Sequence, residues 1–181
     1  MPEPLPRKNI LLTGRPRVGK STLILRIVEK LKRAGAANIG GFYTLEASEA
    51  GKRIGFDINT LDGKKGRLAR AGIESRFRLG RYGIDMEQFE EIALSALSRA
   101  IEHDDIIVID EIGFMELKSR RFQELVEKAL DSSKPVIATI MKNSFDFPDR
   151  IKAREDVLMM TVRVDNRDKL VDEMTEIIRK L

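Results

Sequence analysis

The 181 residues contain no cysteine, which excludes disulfide staples, thiolate catalysis and cysteine metal sites. A single histidine, His103, is too few for a histidine-built zinc site or a multi-histidine mechanism. Uninterrupted apolar runs fall far short of the roughly 20 residues that cross a bilayer, so no membrane span is expected. Charge of neither sign dominates: 33 basic residues face 29 acidic ones, and a net +4 is too mild to imply nucleic acid. The first eight residues, Met1 to Lys8, are proline-rich and polar and lack a signal-peptide core, which makes a cytoplasmic protein the default expectation. A monomer is the default as well.

The remainder describes a soluble globular chain. Hydrophobic residues make up 42% and charged residues 34%, and apolar runs recur along the whole length, which argues against disorder. At about 100–200 residues per domain, residues 1–181 read as one domain. Folding would bury roughly 70% of the unfolded surface, enough for a core without staples.

Asn9 to Thr13 reads as a short buried strand, followed by a glycine-bounded loop and a helix from Lys20 to Ala34 with Leu23, Ile24, Ile27, Val28 and Leu31 at helical spacing. Gly35 is placed to end it. Gly41–Ser48 and Arg53–Thr60 then look like strands, joined by a turn at residues 49–52. Asp62-Gly63 is a strong hairpin signal, because Asp-Gly suits two positive-φ positions, and a third strand near Lys65–Arg70 completes an antiparallel meander. The stretch from about 39 to 80 is therefore read as a β-hairpin insertion. Asp85 and Gln88 form a capping pair for a helix from Met86 to about Glu102. Ile106–Ile109 is a fully apolar strand, Ser119–Leu130 a helix, Val136–Ile140 a strand and Asp146–Arg154 a short helix with a proline in its first turn. A strand over Val157–Val164 and a helix over Asp168–Lys180 close the chain. Short apolar strands alternating with helices imply an α/β fold, Rossmann-like, with a mostly parallel sheet covered on both faces.

Gly14-Arg15-Pro16-Arg17-Val18-Gly19-Lys20-Ser21-Thr22 satisfies the G-x-x-x-x-G-K-[S/T] pattern, between a strand and a helix as that pattern requires. A triphosphate needs backbone N–H groups around its oxygens, and a loop curling into a helix N-terminus supplies them. Lys20 then reaches the β- and γ-phosphates, Ser21 offers its hydroxyl to Mg²⁺, and Thr22 is a further donor towards the α-phosphate. Arg17 stands where many such loops carry glycine. A positive φ there would strain the backbone, and the side chain points either outward or across to the γ-phosphate.

Ile106 to Ile109 followed by Asp110-Glu111 has the form of a Walker B strand, with Asp110 a candidate Mg²⁺ ligand and Glu111 a candidate acceptor of a proton from attacking water. Arg15, Arg17, Arg150 and Arg154 are candidates for neutralising transition-state charge, against the ordinary expectation that such arginines are solvated. Asn143 could position water, although a cap or turn role is the simpler reading. Asn166-Arg167-Asp168 lies at the carboxyl edge, where α/β folds place ligands, and could touch a base or simply cap a helix. The basic stretch Lys64, Lys65, Arg67, Arg70, Arg76, Arg78 and Arg81 has no interleaved aromatics for stacking, so a solvated or nucleotide-facing surface is favoured over nucleic acid. His103 at a helix C-terminus and Met159-Met160 read as structural.

Several stretches together resemble the THEP-type, or cancer-related, nucleoside triphosphatases. They are the loop with Ser21 to Ile24, then Gly41 to Glu46, Lys52 to Ile58, Tyr82 to Asp85, Glu90 to Ala93, Ile109 to Leu117, Arg150 to Lys152 and Asn166 to Asp168. The resemblance implies a single P-loop NTPase domain that hydrolyses nucleoside triphosphates such as ATP and GTP to diphosphates with Mg²⁺ and broad base tolerance. It carries the nucleotide-binding loop onto Gly14 to Thr22 and the acidic pair onto Asp110 and Glu111. Three places depart from the family pattern: Arg17 replaces a glycine, Phe114 a lysine, and Met141 to Ser144 a segment containing histidine and arginine. Two other readings stay open, a nucleoside or nucleotide kinase and a nucleotide-dependent RNA- or protein-binding ATPase.

Overall fold

The computed structural model describes residues 7–35 and 38–181. Among the described residues nine strands form one sheet, ordered β5-β6-β4-β3-β2-β7-β8-β1-β9. Its parallel half consists of β2 (Ile39–Glu49), β7 (Ile106–Ile112), β8 (Val136–Ile140), β1 (Asn9–Thr13) and β9 (Val157–Thr161). Its antiparallel half adds β3 (Lys52–Thr60), β4 (Lys65–Ala71), β6 (Tyr82–Ile84) and β5 (Arg78–Leu79) beyond β2. The short strands β5 and β6 have no sequence signal of their own. Two or three residues are too few to show an alternation, and Gly80 and Gly83 interrupt what there is.

Alternation along the central strands sets the two layers. Ile10, Leu12, Val108 and Ile137 face α1 (Lys20–Arg33) and α6 (Arg167–Arg179), whose buried residues include Leu23, Ile27, Leu31, Leu170 and Met174. Leu11, Ile107, Ile109 and Ala138 face the opposite layer. There α2 (Met86–Phe89) runs through a π-helical turn at Glu90–Leu94 into α3 (Ser95–His103), beside α4 (Arg120–Asp131). The short α5 (Asp146–Lys152) buries Phe147 and Ile151 in the same layer. Phe42, Phe89 and Phe122 meet edge to face at centroid distances of 5.4–6.0 Å, under the seam where β2 joins the two halves of the sheet.

Two local expectations need correction. The Asp62-Gly63 hairpin forms, but only Gly63 has a positive φ, 96°. The loop is wider than two residues and is closed by Thr60, whose Oγ1 accepts from the Lys64 N–H at 2.9 Å. The two-residue turn with both φ positive lies instead at Ala50 (47°) and Gly51 (74°), between paired Glu49 and Lys52. The capping pair is also only half formed. Asp85 accepts from the Gln88 N–H at 3.2 Å, whereas the Gln88 side chain accepts from the Arg67 N–H at 2.8 Å and so ties the helix to β4.

Candidate functional site

The loop of residues 14–22 leaves the carboxyl end of β1 and winds into α1, and the connection from β9 to α6 lies directly against it. A Cβ on Gly14 would sit 2.7 Å from the Val162 carbonyl oxygen, so only glycine admits that approach. Gly19 occupies the N-cap of α1 at φ 102°, and the first turn of the helix holds no acidic side chain. The positive end of the helix dipole thus faces the loop uncompensated, as an anion site requires.

Arg17 has φ 62°, in the left-handed region. Its guanidinium points outward to Glu46 on β2, with contacts of 2.8 and 3.0 Å, and Glu46 also receives Arg53 from β3 at 3.3 Å. The Arg17 hydrogen bond chiefly holds the Glu46 carboxyl below its ordinary range, and Arg53 adds to the effect. Arg17 thus laces the loop to the hairpin, and both it and Glu46 line the larger of the two cavities described below.

Lys20, Ser21, Asp110 and Glu111 come together from α1 and β7. Lys20 Nζ lies 3.4 Å from the carbonyls of Gly14 and Arg15 and 4.0 Å from Glu111 Oε2. Asp110 is fully buried. One carboxylate oxygen accepts from Thr139 on β8, and the other, Oδ2, makes no hydrogen bond of ordinary length among the described residues. Burial pushes its carboxyl upward, against the hydroxyls of Thr139 and Ser21, the Thr44 N–H and the charge of Lys20. Burial likewise raises Glu111, opposed by Lys20 and reinforced by Asp110. The peptide joining the two acids is cis.

A third acid went unrecognised as a site residue. Glu116, 2% exposed, turns back over Gly113, and a Cβ there would lie 2.7 Å from Glu111 Oε1 and 3.0 Å from Glu116 Oε2. Burial, then the neighbouring Glu111 charge, drives Glu116 well above the ordinary carboxylate range. A glutamate four residues beyond the strand carries no sequence signal of burial, because the short 3₁₀ turn at Glu116–Lys118 that tucks it in has no periodic pattern.

Two cavities flank Lys20. The larger, about 650 Å³, is lined by Lys20, Ser21 and Glu111 on one side and by Arg53, Phe56, Leu79, Phe114, Met115 and Met141 on the other. The smaller, about 190 Å³, lies towards α6 between Gly19, Thr22 and Leu23 and the charged Arg26, Arg167 and Asp168. Arg17, Phe114 and Met141 to Asn143, the departures seen in the sequence, all line the larger cavity.

The other candidates are dispersed. Arg150 pairs with Glu127 at 3.2 Å, and Arg154 with Asp156 and Asp131 at 2.9 and 2.8 Å, all away from the cleft. Arg15 is exposed and outside both cavities. Asn143 lines the larger cavity. Asn166 makes no side-chain cap on α6 and instead bridges Arg163 N–H and Thr161 C=O, while Asp168 pairs with Arg26. Arg167 Nη1 lies 3.5 Å from the Val18 carbonyl. His103 sits in the last turn of α3.

The residues present suit Mg²⁺. No cluster of three His, Cys, Asp or Glu side chains that could hold a metal occurs among the described residues. A single buried carboxylate with an orphaned oxygen beside a serine hydroxyl is the donor set of an ion that completes its shell with water and substrate phosphate.

A family model described as NTPase matches residues 9–175. The nucleoside-triphosphatase THEP1 of Thermotoga sp. strain RQ2 is 48% identical over 170 residues, covering 94% of this chain and 95% of that protein. The THEP1 of Methanocaldococcus jannaschii is 39% identical over 165 residues, 91% of this chain and 94% of its own length. Among solved structures, THEP1 from Aquifex aeolicus superposes with a TM-score of 0.85 at 33% identity, covering 94% of this chain and 98% of that one. A human cancer-related nucleoside triphosphatase superposes with 0.82 at 35% identity, covering 95% and 97%.

Proposed function

Because the chain belongs to this NTPase family, we propose that it hydrolyses nucleoside triphosphates to diphosphate and orthophosphate at the loop of residues 14–22, as one domain spanning residues 1–181. The observation that carries this reading is the convergence of Lys20, Ser21, Asp110 and Glu111 on that loop around the unpartnered Asp110 oxygen.

The backbone N–H groups of the loop and the open N-terminus of α1 bind the phosphate oxygens. Lys20 follows the charge that builds on the β–γ bridging oxygen as that bond breaks. Water attacks the γ-phosphorus, and its proton passes to Glu111, a carboxylate whose basicity burial increases and whose ionised form Lys20 sustains. Ser21 and Asp110 would hold Mg²⁺, which when bound neutralises charge on the transferring group. The smaller cavity, where Arg26 and Asp168 satisfy each other, is the nucleoside end.

Orthophosphate release from ATP, GTP, CTP and UTP with Mg²⁺ tests the activity, with comparable rates expected for all four. Glu111→Gln should keep nucleotide affinity and lose about 10²–10⁴ in turnover, the usual worth of a positioned base. Full activity in that variant would remove Glu111 from the mechanism. Lys20→Ala should weaken binding and turnover together.

A further inference from the structure

Hydrolysis needs only a water molecule on the γ-phosphate side of Lys20, yet the protein keeps a large cleft there. Phe56 from β3, Leu79 from β5, Phe114 and Met115 after β7 and Met141 after β8 bring apolar side chains from four separate segments to one wall. All but Met115 stay half-buried rather than buried, an exposure with no use for a reaction in water. The wall is held in shape. Phe56 packs edge to face on Tyr82 at 5.8 Å, Arg53 lies over both rings at 5.4 Å, and Phe114 is flanked by Phe145 and by Lys118, whose Nζ is 4.0 Å above its ring. An apolar cleft with a few convergent polar groups has the composition of a small-molecule site. The nucleoside cannot be its natural occupant if the loop runs as the proposed function requires. Leu23, Arg26, Arg167 and Asp168 open on the other cavity alone and Lys20, Ser21 and Glu111 on this one alone, with Gly19 and Thr22 shared between the two.

We propose that this γ-side cleft seats a second substrate, a small ring-bearing alcohol, and that the protein passes the γ-phosphoryl group to its hydroxyl as well as to water. The inference rests on the P-loop reading given above. The alcohol oxygen bonds to the γ-phosphorus as the bond from that phosphorus to the β–γ bridging oxygen breaks, and the electron pair leaves with the diphosphate. The hydroxyl proton goes to Glu111 and from there to solvent. Triphosphate and alcohol thus become diphosphate, phosphate monoester and one proton, with no further reactant. Phe56 and Phe114 line the cleft with ring carbon, and Met115 and Met141 offer thioethers that adapt to a ring.

The test is a partition experiment on the full chain with ATP and Mg²⁺, in water alone and with equal molar concentrations of methanol or benzyl alcohol. Phosphorus NMR reads the ratio of phosphate ester to orthophosphate. Benzyl phosphate should form with a ratio about tenfold or more above that of methyl phosphate, the preference expected when a ring is buried against apolar walls. Phe114→Ala and Leu79→Ala should each pull the benzyl ratio towards the methyl one. Because the ratio is internal to each reaction, partial loss of folded protein does not alter it. Orthophosphate without either ester, or equal ratios for the two alcohols, overturns the inference. Failure of the hydrolase reading shows itself separately, as no orthophosphate in water alone.

Discussion

At the scale of single residues, the site depends on side chains held where they would not rest by themselves. Arg17 keeps a left-handed backbone, which costs a non-glycine residue about 1–2 kcal/mol. Its exposed pair with Glu46 returns roughly 0–1 kcal/mol. Arg17→Gly should therefore leave the urea midpoint no lower than that of the parent chain, and a loss above about 1 kcal/mol would show that the tie to Glu46 outweighs the strain. Glu116 acts in the opposite sense to a salt-bridged acid. The folded state raises its affinity for a proton, so the unfolded chain ionises first. Stability falls as pH rises from the ordinary carboxylate range and levels off once pH passes the raised value. The melting temperature of Glu116→Gln should gain on the parent as pH increases across that window, and parallel melting curves would contradict the assignment. Lys20, Ser21, Asp110 and Glu111 were legible because their chemistry fixes their spacing. Glu116 and Arg53 were not, since nothing local marks a glutamate as buried or an arginine as facing a cleft from another strand.

At the scale of elements, caps and strand contacts fasten the layers. Ser119 Oγ accepts from the Phe122 N–H at 3.2 Å as the N-cap of α4 and donates to Glu90 in the π-helical turn at 2.6 Å. Ser119→Ala removes both and should cost about 1–2 kcal/mol in chemical denaturation. A loss well below that would mean that water replaces the serine at both ends. The long helices and the parallel strands β1, β7, β8 and β9 were readable because each carries a sustained apolar run. Val136–Ile140, for example, is buried at every position. By contrast β2, read as part of the antiparallel insertion, pairs in parallel with β7 through Ile39 to Phe42. The π-helical turn was not readable, because Glu90 to Leu94 keeps helical composition while its hydrogen bonds shift by one residue. The turn at residues 49–52 was readable by its place but not by its type, because alanine at position 50 hides a positive φ that Asp62-Gly63 advertises.

At the scale of the molecule, β2 is the seam. Phe42 pairs with Ile109 on the parallel side and Thr60 on the antiparallel side, and its ring packs against helices on either hand. Phe42→Ala should cost about 3–5 kcal/mol. If the seam unites the sheet, amide exchange should accelerate equally in β7 and in β3. Acceleration confined to the antiparallel strands would show that the two halves unfold separately.

The site around Asp110 bears on how long the protein lasts as well as on what it does. Asp110 is fully buried beside the loop, and any ligand that binds there only to the folded chain shifts the equilibrium towards it. At one hundred times its dissociation constant, a magnesium nucleotide adds about 2.7 kcal/mol. That is a melting-temperature rise of roughly 5–10 °C for a chain of this size. Scanning with MgADP, and again after EDTA, should show the rise and its loss, and a curve indifferent to both would mean that the pocket binds neither. The resistance of this protein to heat and proteolysis would then follow the concentration of magnesium nucleotide, diphosphate as well as triphosphate, around it.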